Sequence, residues 1–189
     1  MTVEHGLRTV VLVEGVSDQI AVETLAARRG RSLDADRVAV VPIGGAKNIR
    51  RYVDRFGPNG LDLGLAGLYD AGEERDFARG LEHSGFGSHL DREDLARLGF
   101  YVCIADLEDE LIRALGPAAV EVVIEEQGEL PSLRTLQRQP AQRGRTIEAH
   151  LRRFIGTRSG RKARYARVLV EALDLERVPQ PLDRLLAHV

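Results

Sequence analysis

Three continuous apolar runs in the first 115 residues break off into acids. Val10-Val11-Leu12-Val13 runs into Glu14, and Leu65-Ala66-Gly67-Leu68-Tyr69 into Asp70. Phe100-Tyr101-Val102-Cys103-Ile104 is followed by Asp106, Glu108, Asp109 and Glu110. Runs without polar alternation mark strands covered on both faces, as in a parallel sheet. The pattern predicts strands at Arg8–Glu14, Val38–Ile43, Leu63–Tyr69 and Phe100–Ile104. Helical spacing fills the gaps. Ser17 offers a cap and Asp18 a first-turn acid for a helix carrying Ile20, Val22, Leu25 and Ala26, which Gly30 ends. Gly44-Gly45-Ala46-Lys47-Asn48-Ile49 turns into a second helix with Ile49, Tyr52, Val53 and Phe56. Gly57-Pro58-Asn59-Gly60 breaks it. Residues 70–98 are mixed, with one short helix expected at Arg92–Leu98. Leu107, Leu111, Ile112 and Leu115 then share one helical face.

Strands alternating with helices predict an α/β fold, with a mainly parallel sheet of about four strands flanked by helices. After Gly116 the pattern changes: 117–127, 146–155, 160–173 and 180–187 read as helices, with no strand between them. Pro140–Gly144 and Gly156–Gly160 read as linkers. The expected organisation is an α/β domain over 1–115 and a basic helical extension over 116–189, packed on or next to it.

In open α/β sheets, ligands bind at the C-terminal ends of the strands. Acids delivered there favour a hard divalent cation, Mg²⁺ or Mn²⁺, which takes oxygen ligands. Glu14 is the sharpest case. It directly follows four apolar residues, and an unpaired buried carboxylate costs several kcal/mol. It therefore calls for a metal, a cation or a raised pKa. The other acids also have plain structural uses: Asp18 suits a helix N-terminus, Asp70 a cap, and Glu108–Glu110 a solvated first turn. The five histidines (His5, His83, His89, His150 and His188) show no ligand spacing.

Charge adds a polarity to this picture. Residues 1–115 hold 14 basic and 20 acidic side chains, whereas 116–189 hold 13 and 9. Between Arg134 and Arg167, 11 basic residues face only Glu148. That density suits phosphate neutralisation, and equally a solvated helical surface. Lys47 and Lys162 are the only lysines beside 25 arginines, and a compact ammonium suits a site next to metal or phosphate. The single cysteine, Cys103, excludes an internal disulfide and reads as core. No apolar run nears the ~20 residues of a membrane span. Met1–Arg8 does not read as a signal peptide, so a cytoplasmic protein without a membrane partner is expected.

The strand–Glu14-Gly15-Val16-Ser17-Asp18 turn, followed by strand–Asp70, resembles the Toprim domain of topoisomerases, bacterial primases and certain nucleases. Gly44-Gly45-Ala46-Lys47-Asn48-Ile49, Asp106-Leu107-Glu108-Asp109-Glu110-Leu111 and the late Lys162 look like the Toprim half of the overcoming-lysogenization-defect (OLD) nucleases. The motifs run in order over nearly the whole chain. The resemblance implies a Rossmann-like Toprim fold and metal-dependent cleavage of DNA, with RNA less favoured. It makes Glu14, Asp18, Asp70 and Glu108 metal ligands or general base, and Lys162 a stabiliser of phosphoryl charge. Glu14, Asp70 and Lys162 are then the catalytic set. Lys47, Arg158, Arg161 and Arg164 are the expected nucleic-acid contacts. The Gly44–Gly45 turn would meet phosphate or brace the site.

The sequence departs from the family in one place. Toprim domains usually carry Asp-x-Asp after the third strand, and here Asp70-Ala71-Gly72 lacks the second aspartate. Glu73 is the nearest substitute. OLD nucleases also pair the Toprim half with an ATPase half, and this sequence has no P-loop. A separately encoded ATPase partner is therefore expected, and an oligomer is compatible with the sequence. A non-catalytic nucleic-acid-binding or partner-docking module, and a nucleotidyl transferase, remain alternatives.

Overall fold

The computed structural model describes residues 6–156 and 160–189, so His5 and Arg158 lie outside the described residues. Four strands form one sheet: β1 (Thr9–Val13), β2 (Val38–Pro42), β3 (Gly64–Asp70) and β4 (Phe100–Cys103). Their order is β2-β1-β3-β4, and every pairing is parallel. The chain moves from β1 to β2 in one direction, then crosses back to place β3 on the other side of β1. Strand order therefore reverses between β1 and β3, which opens a crevice at the C-terminal ends of those two strands.

Helices cover both faces, and this explains the unbroken apolar runs. Val11, Val13, Ala66, Leu68, Tyr101 and Cys103 point to one face. They pack there against α1 (Val16–Arg28), α5 (Leu107–Leu115) and the later helices. Val10, Leu12, Leu65, Tyr69 and Phe100 point to the other face. That side is covered by α2 (Ile49–Phe56), α3 (Glu74–His83) and α4 (Arg92–Arg97). Gly67 leaves room for Phe100: a Cβ there would lie 2.5 Å from the Leu12 carbonyl oxygen and 2.8 Å from the Phe100 ring.

Beyond α5 the chain is helical throughout the described residues: α6 (Pro117–Glu126), α7 (Leu130–Gln137), α8 (Ile147–Gly156), α9 (Arg161–Ala172) and α10 (Gln180–His188). These helices share one apolar core with the sheet rather than forming a second. Arg28 ties α1 to the end of α9, its guanidinium donating to the Val170 and Leu173 carbonyls at 2.8 and 2.6 Å. Those carbonyls lie at a helix C-terminus, where a cation is favoured; Val170 also accepts the Leu173 N–H at 3.2 Å.

The described structure differs from the sequence reading in local ways. The first helix starts at Val16, not after Ser17: Gly15 is its N-cap, and Ser17 is buried in the first turn. Asp18 reaches back to accept the Gly15 N–H at 2.8 Å. Two helices arise where none was expected, α3 and α7. In α3, Gly80 weakens the helical signal, yet it is where Ile49 of α2 packs; a Cβ there would sit 2.6 Å from an Ile49 methyl. The linker expected at Pro140–Gly144 holds a short 3-10 turn at Pro140–Gln142. Gly156 ends α8, and Gly160, with φ near 78°, caps α9.

Candidate metal centre

The crevice between β1 and β3 is an open cleft of about 390 Å³ lined by acids and one lysine. Glu14 follows the last residue of β1, and Asp70 ends β3. The pairing of Leu12 with Gly67 brings these two strand ends side by side. The Asp70 N–H donates to Glu14 Oε1 at 2.9 Å. Asp18 enters from the first turn of α1, and Lys162 from the first turn of α9. The structure thus brings Glu14, Asp18, Asp70 and Lys162 to one place.

Glu108 joins from α5. It is buried, and Lys162 Nζ lies 3.1 Å from its Oε2. Beyond that ammonium, neither buried Glu108 oxygen meets a hydrogen-bond partner among the described residues. Glu73 does not line the cleft, but its charge is felt at Glu14. The Gly44 and Gly45 amides both donate to the Glu14 carbonyl at 3.1 Å. They brace the strand end and are not free for phosphate.

The acids perturb one another. Burial raises the Asp70 carboxyl most, and Glu14, Asp18 and Asp106 raise it further, to about 8, against the pull of Lys162. Burial also pushes up Glu14, Asp18 and Glu108; at Glu108 it outweighs the paired ammonium. Burial pulls the Lys162 ammonium down, but Glu108, Asp18 and Asp106 outweigh it and its pKa is raised. Carboxylates that raise one another's pKa in a cleft are repulsive as neighbours and are relieved by a cation.

The donor set fits a hard divalent ion. It is all oxygen and crowded with acids, and Glu108 lies next to it, paired with Lys162. Among the described residues, no three His, Cys, Asp or Glu side chains already close around one point. Glu14 and Asp18 are each oriented by a backbone N–H, from Asp70 and Gly15 respectively.

Asp106 is a member of this neighbourhood that the motif reading did not place in the site. It caps α5 by accepting the Asp109 N–H, and its charge reaches Asp70, Asp18, Glu108 and Lys162. Its signal in the sequence was the same acid cluster that drew attention to Glu108. The expected nucleic-acid contacts scatter. Lys47 lines a separate cleft with Arg50, Arg79 and His83. Arg161 is a correction: it is buried, stacks over the Phe154 ring, and donates to the Phe154 carbonyl and to Glu129. Arg164 pairs with the same Glu129. These two arginines pin α9 against the α6–α7 turn, so the cation density of this segment is partly structural. Cys103 is buried core, and burial holds its thiol well above the usual range.

The parallel sheet flanked by helices, with acids at its switch-point crevice, matches the Toprim fold. Residues 7–71 match the family model for the Overcoming lysogenization defect protein-like, TOPRIM domain. The likeness to the Toprim half of OLD proteins extends over almost the whole chain in solved structures. The C-terminal region of the Xanthomonas campestris pv. campestris OLD protein superposes with a TM-score of 0.73 at 25% identity, covering 97% of this chain and 92% of that one. The C-terminal region of the Burkholderia pseudomallei OLD protein gives 0.71 at 21% identity, covering 97% of each. A search of curated protein sequences finds no match. The likeness to an OLD-like TOPRIM domain suggests a nuclease-type or nucleic-acid-related function. No helix among the described residues is long and apolar enough to cross a membrane.

Proposed function

We propose that this chain is the phosphodiester-cleaving half of a divalent-metal-dependent DNA nuclease. The observation that carries the reading is the meeting of Glu14, Asp18, Asp70 and Lys162 in one cleft at the sheet's switch point. Glu14, Asp18 and Asp70 would hold Mg²⁺ or Mn²⁺, with the charges of Glu108 and Glu73 nearby. When bound, such an ion supplies polarisation of the phosphodiester and a lower pKa for the attacking water.

The protein's own groups do the rest. Asp70, with its carboxyl raised to about 8, holds a proton near neutral pH until the site fills. Glu108 keeps Lys162 charged and aimed across the cleft. The Lys162 ammonium then faces the charge that develops on the phosphoryl oxygens. Gly44 and Gly45 fix the backbone on which Glu14 sits. In OLD nucleases an ATPase half accompanies the Toprim half, and ATP hydrolysis here falls to another domain or chain. Gly72 in place of the usual second aspartate favours one alternative, a module that binds nucleic acid without cutting it.

Plasmid nicking in Mn²⁺ tests the reading, comparing wild type with Glu14→Ala. Cleavage by wild type that falls at least ~100-fold in the variant is expected, since a residue acting at the reacting centre is commonly worth that much. Equal residual cleavage by both proteins overturns the catalytic claim.

A further inference from the structure

An acidic cleft repels the phosphates it is meant to process, so a bound strand needs cations close by. Arg161 is spent inside the fold, and Lys47 lies in another cleft. A third cleft, of about 300 Å³, is lined by Asp106, Arg145, Ala149, Arg152, Arg153 and Gly156. Its residues run along α8 and the turn before it at intervals of three to four, which lines them along one flank of the helix. Leu151, Phe154 and Ile155 anchor the opposite side of α8 in the core. The arginines are therefore held at the surface by a packed helix.

Arg145 and Arg153 are exposed, and neither side chain has a hydrogen bond or ion pair among the described residues. Arg152 Nε donates to Asp106 Oδ2 at 2.7 Å. Asp106 is the acid that also acts on Asp70 and Asp18, and the Asp70 charge is felt at Arg152 as well. The arginine cleft and the carboxylate cleft thus adjoin through Asp106.

We propose that this arginine cleft holds the sugar–phosphate backbone of DNA beside the carboxylate centre, with Arg145 and Arg153 neutralising successive phosphates. Arg152 trades its bond to Asp106 for one to a phosphate, which couples strand binding to the acids. The assignment rests on the nucleic-acid reading above and gives that reading a surface and a direction of approach.

The test is binding of a fluorescein-labelled DNA duplex by anisotropy across a salt series, with Ca²⁺ in place of Mn²⁺ to prevent cutting. The variant is Arg145→Glu/Arg153→Glu. The control is Arg8→Glu/Arg37→Glu, the same charge change ahead of β1 and β2 at the opposite edge of the sheet. The arginine-cleft variant is expected to lose about 10- to 100-fold in affinity near 0.1 M salt, and its log–log salt slope to fall by about 2. The control should bind within about 2-fold of wild type, because the Debye length near 0.1 M salt is about 10 Å. Mn²⁺ binding by calorimetry should be unchanged in both. Wild-type affinity and slope in the arginine-cleft variant overturn the assignment, as does an equal loss in the control or a wild type that binds no DNA. Failure of the nuclease reading looks different: DNA binding responds to Arg145 and Arg153 as stated, while wild type never nicks plasmid in Mn²⁺.

Discussion

Replacing Asp70 by Asn should stabilise the metal-free protein, and by more at high pH than at low. Asp70 ionises ordinarily near 3.8 but at about 8 in the fold. The folded state therefore holds a proton that the unfolded state has lost between those values. By linkage, stability falls as pH rises wherever the folded state binds more protons. The penalty is absent below about pH 4, grows through the interval, and is complete above about 8. At 1.36 kcal/mol per pH unit, a shift of about four units sets a ceiling near 6 kcal/mol. The cleft is open to water, which screens the interaction, so about 2–3 kcal/mol is the expected value at pH 9 and under ~1 kcal/mol at pH 5. Asn keeps the shape and removes the charge. The assay is urea unfolding of wild type and Asp70→Asn in EDTA at both pH values. A variant that is equally stable or less stable at pH 9, or a gain that does not grow from pH 5 to pH 9, refutes the claim that burial and the neighbouring acids penalise the Asp70 charge in the metal-free fold.

Three further outcomes follow from named contacts. Gly72→Asp restores the usual second aspartate in open space, at a residue without positive φ, so it should fold normally; Mn²⁺ calorimetry should show affinity tighter by about 10-fold or a second bound ion, since one added oxygen ligand is worth of order 1.4 kcal/mol. Lys162→Met strips the cation from buried Glu108 and should cost about 1–3 kcal/mol at pH 8, with Glu108→Gln in the same chain recovering part of the loss in a double-mutant unfolding cycle. Gly67→Ala drives a methyl into the Leu12 carbonyl and the Phe100 ring; a loss of about 1–3 kcal/mol in thermal unfolding is expected, without loss of Mn²⁺ binding in the surviving folded fraction.

Much of the fold could be read from periodicity because the sheet is covered on both faces. Val10–Val13 and Leu65–Tyr69 show no polar alternation because alternate side chains enter two different cores. That Glu14 and Asp70 come together is legible for the same reason: each follows a buried run, and the two strands pair side by side. What the sequence hid depends on tertiary contacts. Helix α3 lies in the stretch 70–98 that reads as mixed: Gly80 is a poor helix former, yet its lack of a Cβ is what lets α2 approach. Arg161 and Arg153 look alike in sequence, yet one is buried over Phe154 and the other is exposed on α8. Asp106 looked like one more first-turn acid until the fold set it between the carboxylates and Arg152. Charge density along a chain counts cations but does not say which of them a core has already engaged.

If the switch-point carboxylates form a divalent-metal centre, a crystal soaked in Mn²⁺ and measured for anomalous scattering will show it most directly. A manganese peak is expected within about 2.0–2.3 Å of oxygens from at least two of Glu14, Asp18 and Asp70, as oxygen ligation of such ions requires. Manganese bound elsewhere while this cleft stays without a peak would contradict it.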